Sequence, residues 1–294
     1  MFKAVNDDFL VPFDGHFRVT DVPTTPARRD RQRDHNKKRL RTLVKQLDRL
    51  QRVLYADDRF SVLLIFQALD AAGKDSTIRA VLRGVNPAGC QVFSFKQPTP
   101  EELDHDFLWR THIRAPERGR IGVFNRSYYE EVLVVRVHPE YLAHQRLGGR
   151  VRRKEIWEQR FESIRSHELH LARNGTLILK FWLNVSQEEQ RRRFLSRLED
   201  RSKNWKFSES DLRERASWDR YQKAFQSALR ETSRPWAPWY AIPADDKPFM
   251  RCAVARIIVR NLRRLPIRFP QIDADKQAEF ERIRKKLEEG VEGA

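Results

Sequence analysis

Five apolar runs punctuate the chain: Val62–Phe66, Cys90–Phe95, Ile121–Phe124, Thr176–Val185 and Trp239–Ile242. Their near-continuous apolar character suits strands buried on both faces of a parallel sheet. The stretches between them carry helical spacing. Leu40, Leu43, Val44, Leu47, Leu50 and Leu54 make one apolar face, and Ile78, Val81 and Leu82 make another. Pro100–Arg114 is predicted helical with Leu103, Phe107 and Leu108 inward. A helix running to Arg173 presents Trp157, Phe161, Ile164 and Leu171, and stops at Asn174–Gly175, a C-terminal signal. Ser186 with Glu189 forms a capping box that opens the next helix. Asp211–Arg230 is expected as one long helix with Leu212, Tyr221, Phe225 and Leu229 inward, and Phe249–Leu265 as the closing helix. Strand and helix alternate throughout, which predicts an α/β fold: a five-stranded parallel sheet with helices on both faces.

Domain organisation follows from the flanks. Residues 1–27, with Pro12, Pro23 and Pro26, read as an extended surface arm; 28–270 form one domain; 271–294 are a charged tail. At 294 residues, 40% hydrophobic with 18 Phe and 7 Trp, the chain has material for a real core. A net charge of +17 favours polyanionic partners: nucleic acid, an anionic membrane or a phosphate polymer. Arg28–Arg41 alone holds eight Lys or Arg. Cys90 and Cys252 sit in apolar surroundings and read as buried thiols. No window approaches a membrane span, and no leader pattern opens the chain. A cytoplasmic protein is expected.

Chemistry concentrates in Ser61–Leu82, SVLLIFQALDAAGKDSTIRAVL. Strand, small-residue loop, Lys74, hydroxyls and helix is the plan of a phosphate-binding P-loop. Backbone amides, the helix N-terminus and a point charge converge there on one anion. The pattern departs from GxxxxGK[ST]: Ala68 replaces the first glycine, Asp75 follows Lys74, and the hydroxyls come later at Ser76 and Thr77. Asp70 inside the loop should repel a polyphosphate. It fits only if a metal ion lies between them or if the acid does chemistry.

Other candidates fall at strand ends, where open α/β sheets bind ligands. Lys96 follows the second strand as a phosphate contact or an exposed turn lysine, and Arg110 lies on the next helix within reach of the cleft. The third strand runs into Asn125, where P-loop enzymes usually carry a metal-holding Asp. Arg126 beside it would meet the phosphates as a fixed planar cation, or else make a structural ion pair. Glu130 and Arg136 follow on a helix at the cleft rim, and His138 reads as structural. Lys180 stands inside the fourth strand and should face phosphate or an acid such as Asp70. Leu198–Ser208, LEDRSKNWKFS, is charged and flanked by helices, as a mobile lid would be.

Four stretches together, LDAAGKDST, FNRSYYEEVLVVRVHPE, LKFWLNVSQEEQRRRF and RLEDRSKNWKFS, resemble the polyphosphate kinase 2 family of polyphosphate:nucleotide phosphotransferases. The likeness runs from about Arg28 to Leu265. Asn125-Arg126-Ser127-Tyr128-Tyr129 in place of Asp-Arg-Ser-Trp-Tyr looks like the subgroup often called class III, which phosphorylates nucleoside monophosphates as well as diphosphates. The resemblance implies a kinase-like three-layer P-loop fold with a helical lid at about 191–215. It also implies inorganic polyphosphate as donor, adenine or guanine nucleotides as acceptors, Mg²⁺ with Mn²⁺ as substitute, and a dimer or tetramer. Asp70, Lys74 and Arg126 correspond to its key residues, and Arg192, Arg193, Lys203 and Lys206 to its lid cations. On this reading Lys74 and the loop Ala71, Ala72 and Gly73 grip phosphate with Asp75, Ser76 and Thr77. Asn125, Tyr128, Glu130 and Arg136 meet the nucleotide, and Asp70 holds the metal.

Two rivals remain at this level. An ATP-dependent nucleoside monophosphate kinase would share the fold, although the basic excess favours a longer polyanion. A nucleic-acid-binding protein would account for the charge but not for Asp70 beside Lys74, and offers only Trp109 and Trp205 for stacking.

Overall fold

A computed structural model of the chain describes residues 2–148, 153–202, 204 and 208–289. Its five strands are β1 (Ser61–Gln67), β2 (Cys90–Ser94), β3 (Ile121–Asn125), β4 (Thr176–Asn184) and β5 (Trp239–Pro243). They match the five apolar runs to within a residue at each end. All pairings are parallel, in the order β2-β3-β1-β4-β5. β1 and β4 are buried at every position, which is why neither shows the alternation of a one-sided strand.

Two cores flank the sheet. On one face α1 (Arg33–Asp57), α2 (Lys74–Val81) and α10 (Lys247–Leu262) pack over Val62, Leu64, Phe66, Leu179 and Phe181. On the other lie α5 (Glu130–Val137), α6 (Arg153–Arg173) and α9 (Trp218–Thr232), over Leu63, Ile65, Ile178 and Trp182. The apolar face of α1, with Leu43, Leu47 and Leu54 buried, rests within the domain beside α10.

Two helix expectations need correction. Pro100–Arg114 is not one helix: a capped turn α3 (Pro100–Asp104) is followed by α4 (Trp109–His112). The Thr99–Glu102 capping box starts the first, but Asp106 then bonds the amide of Leu108 at 2.9 Å and forms a local turn. Asp211–Arg230 likewise divides into α8 (Glu209–Ala216) and α9, with Ser217 between them. Leu212, expected inward, is 52% exposed, because the break rotates α8 away from the apolar face that α9 continues.

The chain before Arg28 is more than a surface arm. Leu10 bridges antiparallel to Tyr240, the Val11 amide donates to Trp239 O and the Ala241 amide to Phe9 O. Val5, Val11 and Phe17 are buried. This segment covers the outer edge of β5 and so satisfies a row of otherwise open backbone groups. After α10, the tail forms an exposed helix α11 (Ala274–Glu288). Among the described residues no helix is long and apolar enough to cross a membrane.

Strand order fixes where ligands can bind. From β1 the chain crosses to β2 on one side, whereas from β3 it crosses back over β1 to β4. Right-handed crossovers therefore put α2 on one face and α5–α6 on the other. The loops after the adjacent strands β1 and β3 diverge, opening a crevice at their carboxyl ends.

Candidate active site

The loop after β1 forms one wall of this crevice. Ala71 (φ 61°) and Gly73 (φ 105°) take left-handed conformations, which turn the backbone sharply into α2. At Gly73 only glycine suits the turn: a Cβ there would be strained and would stand 3.3 Å from Met250 Cε. Lys74 opens α2, is buried, and donates from Nζ to Ala68 O at 2.7 Å and Leu69 O at 3.4 Å. Its ammonium thus lies across the loop mouth. Burial lowers its pKa, helped by Arg126 and opposed by Asp70, Glu130 and Asp75.

The opposite wall begins at Asn125, the last residue of β3. Its Nδ2 donates to Asp75 at 2.6 Å and to Ser94 Oγ at 3.3 Å, tying β3 to the first turn of α2. Its Oδ1 is buried without a partner. Arg126 follows in a left-handed conformation (φ 63°), pinned by its amide to Phe66 O at 3.0 Å. Its guanidinium forks to Asp70 Oδ1 at 2.8 Å and Glu130 Oε2 at 3.0 Å. Glu130, then Asp70, raise its pKa against burial. At Asp70 burial favours the neutral acid, but Lys74, Arg126 and Arg197 together outweigh it and hold the carboxyl below its ordinary value. The two loops therefore meet through the Arg126 ion pairs to Asp70 and Glu130, beside the Lys74 ammonium.

Several expected phosphate or nucleotide contacts lie elsewhere. Lys180 is fully buried and faces neither phosphate nor Asp70. Alternation along β4 sends it with Ile178 and Trp182 to the α6 face, where Nζ donates to Glu168 at 2.6 Å, Tyr129 Oη at 2.8 Å and Thr232 O at 2.9 Å. Tyr128 is buried in the same core, its hydroxyl bonded to Glu168 at 2.8 Å. Thr77 is buried, with Oγ1 against Met250 Sδ, because α2 turns that position onto α10. Arg136 stacks over the rings of Trp157 and Phe161 rather than reaching the cleft.

Arg193 does approach the loop, but from behind. It donates to Ala71 O at 3.1 Å, Ala72 O at 2.7 Å and Ala244 O at 2.5 Å, and pairs with Glu189. It is a bracket for the loop backbone, not a free cation. Arg192 is exposed and forks to Glu189. Ser76 Oγ bonds Gly73 O at 3.0 Å. Lys96 is exposed; its carbonyl accepts from Arg110, which also pairs with Glu102 at 3.5 Å. Lys203 and Lys206 lie outside the described residues, as does Trp205.

Sequence reading missed part of the cleft. Beyond Asp70, Arg126 and Glu130, its lining includes Gln190 of α7 (Gln187–Glu199), Asp211, Glu214 and Arg215 of α8, and an apolar wall of Leu133, Val134, Trp218 and Phe225. Gln190 donates to Asp70 O at 2.9 Å, and Arg215 to Gln190. Asp211 Oδ2 is buried without a hydrogen bond, and burial and the nearby Asp70 charge raise its pKa. The available signal was positional: α8 directly follows the charged stretch Leu198–Ser208, and its acidic first turn carries Glu209 and Asp211.

The donor chemistry suits a hard divalent cation in a specific way. Among the described residues no three His, Cys, Asp or Glu gather to form a closed cage. Mg²⁺ rarely uses one; it takes one or two carboxylates and fills its shell with water and substrate phosphate oxygens. Asp70, with Asp211 lining the same cleft and pairing with Arg197 at 3.9 Å, offers that partial oxygen set.

Comparison with known proteins agrees with this geometry. Residues 30–269 match the family model described as polyphosphate kinase 2. An ADP-polyphosphate phosphotransferase of Rhodopseudomonas palustris is 52% identical over 87% of this chain and 89% of its own length. An AMP/ADP-polyphosphate phosphotransferase of Meiothermus ruber is 46% identical over 79% and 83%. The crystal structure of polyphosphate kinase 2 from Arthrobacter aurescens superposes with a TM-score of 0.82 at 34% identity, over 96% of this chain and 99% of that one. With the family model matched over residues 30–269 and relatives this similar over most of the chain, the protein belongs to the polyphosphate kinase 2 family.

Proposed function

We propose that this protein transfers the terminal phosphoryl group of inorganic polyphosphate to an AMP or ADP phosphate oxygen, in-line and reversibly. The observation that carries the reading is the Asp70–Arg126–Glu130 junction at the mouth of the P-loop. A carboxylate there conflicts with polyphosphate unless the charge is bridged, and a forked arginine is poised to follow the moving phosphoryl group.

The acceptor phosphate is ionised near neutral pH, so placement and charge neutralisation matter more than a general base. Lys74 leaves the Ala68 and Leu69 carbonyls to hold a phosphate oxygen, while the Ala71–Gly73 amides orient the same group. Arg126 releases Asp70 in favour of the transferring phosphoryl and stays anchored by Glu130. The apolar wall of Trp218 and Phe225 keeps water from competing as acceptor. Asp70, with Asp211, would hold Mg²⁺ or Mn²⁺, which supplies charge neutralisation between donor and acceptor phosphates. Segment 191–215 would act as a lid, bringing further cations over the bound chain. Assembly into dimers or tetramers is part of the same reading.

A donor–acceptor matrix tests it: AMP, ADP, GMP and GDP against polyphosphate and against ATP, with and without Mg²⁺. Metal-dependent nucleotide formation from polyphosphate is expected, with Mn²⁺ restoring activity after chelation. Turnover with ATP alone as donor would instead make the protein a nucleoside monophosphate kinase.

Arg126→Lys should lower kcat by about 100-fold with little change in KM for the nucleotide. A lysine keeps the charge but cannot bridge Asp70 and Glu130 with two parallel donors. Steady-state kinetics on both substrates reads this directly. An equal rise in nucleotide KM with kcat intact would assign Arg126 to ground-state binding instead.

A further inference from the structure

Away from the crevice, α1 and α10 run side by side and enclose a groove of about 450 Å³. Its polar walls are Arg39, Thr42 and Gln46 from α1 and Arg256, Arg260 and Arg263 from α10 and its C-terminal flank. No acid lines it. Asp7 touches one wall, pairing with Arg256 at 3.1 Å and Arg260 at 2.9 Å. Arg39 and Arg263 have no carboxylate partner among the described residues. Arg256 Nε is buried without a hydrogen bond. Four guanidiniums around one groove, balanced by a single carboxylate, leave surplus positive charge that the fold does not use internally. Such a groove is complementary to a chain of phosphates and offers an apolar ligand only Leu43 and Val259.

Location strengthens the point. The N-terminal end of α10 touches the P-loop, where Met250 packs against Gly73. At about 1.5 Å per residue, Arg256–Arg263 lie roughly 14–24 Å farther along the helix from Lys247. That is beyond the reach of a nucleotide or a very short donor held at the loop, yet within reach of a polymer.

We propose that the α1–α10 groove is a second anion site, which grips a distal stretch of the same condensed-phosphate chain whose end reacts at the P-loop. The inference rests on polyphosphate being the donor. Tethering at the groove raises the local concentration of chain ends at the crevice, so its effect depends on donor length. Arg256 and Arg260 already hold Asp7, so Arg39 and Arg263 are the groups free to bind.

The test compares wild type with the double variant Arg39→Ala/Arg263→Ala. Both positions are exposed and helical or helix-flanking, where alanine is well tolerated, and an unchanged Tm verifies the fold. Donor KM is measured with tripolyphosphate and with long-chain polyphosphate at saturating ADP. For the variant, the expected result is a KM about tenfold higher for the long chain only. Tripolyphosphate kinetics, kcat and nucleotide KM should match wild type, and added salt should erase the long-chain advantage of wild type. An unchanged long-chain KM, or an equal rise for both donors, overturns the groove as a polymer site. So does loss of single-stranded DNA binding in the variant without any change in long-chain KM, which would assign the groove to nucleic acid. Failure of wild type to use either donor sinks the underlying functional reading instead, so the two failures are distinguishable.

Discussion

Asp70→Asn is expected to abolish turnover, with kcat reduced about 1,000-fold or more, while the protein stays folded. The substitution preserves shape and keeps an oxygen facing Arg126. What it removes is the negative charge that fixes Arg126 at 2.8 Å and that, on the proposed mechanism, would hold a divalent ion beside the phosphates. Stability should change little. Asp70 is partly solvated, and Arg126 retains Glu130 at 3.0 Å, so screening limits what the pair contributes. The pH dependence has a definite sign. The folded pKa of Asp70 is lowered from 3.8; its contribution to stability is therefore present above that value and is lost as pH falls through the lower folded one. Asp70 stays ionised throughout the neutral range. The acid limb of kcat/KM should report the second ionisation of the acceptor phosphate, at about pH 6, rather than this carboxyl. Kinetics in Mg²⁺, with thermal unfolding as the fold control, measures both halves. Activity within about tenfold of wild type would refute the role given to Asp70.

Chemistry that depends on local backbone was legible in the sequence, and chemistry that depends on which face a residue takes was not. The five strands could be read because apolar runs bounded by turn residues are local signals. The P-loop could be read because Gly73 and Lys74 sit between a strand and a helix. Lys180 could not be placed: a lysine in a strand near ligand-binding loops looks like a phosphate contact, and its partner Glu168 lies on a helix whose apolar stripe, Trp157, Phe161, Ile164 and Leu171, does not mark it as inward. Tyr128 and Thr77 carry polar groups that bury as easily as they bind. Arg193 is indistinguishable in sequence from Arg191 and Arg192. Only the packing of α7 against the loop shows that one of the three brackets backbone carbonyls while the others pair with Glu188 and Glu189 on the surface. The break at Ser217 lacks the Gly or Pro that would announce it.

The site also stores backbone strain on both of its walls. Ala71 and Arg126 are left-handed without being glycine, each at a cost of order 1 kcal/mol. Arg193 and Gln190 hold the first loop by its carbonyls, and the Arg126 amide is fixed to Phe66 O. These restraints over-determine both turns, so that Asp70 and Arg126 face each other before substrate arrives. Pre-organisation of this kind suits a reaction in which positioning supplies most of the acceleration.

Behind Arg126, the buried Lys180–Glu168 pair supports the Tyr128–Tyr129 turn, and breaking it should be the largest stability effect in the molecule. Glu168 accepts from Lys180, Tyr128 and Tyr129, all within 2.9 Å and all buried. Lys180→Met is expected to cost about 3–5 kcal/mol, because it strands a carboxylate in the core. Adding Glu168→Leu and Tyr128→Phe should recover most of that loss, since a buried pair replaced by apolar groups is often neutral. The pH response separates this from simple cavity formation. Burial lowers the Lys180 pKa from 10.5 to about 8 against the raising pull of Glu168. Between those values the unfolded chain binds a proton that the folded one does not, so this group makes wild type more stable as pH rises. Lys180→Met lacks that gain. The stability gap should therefore widen with pH. Urea unfolding of both proteins at about pH 6.5 and about pH 9 measures it. A gap that stays constant across that range would mean that the lost packing of the lysine stem, rather than the buried charge, dominates.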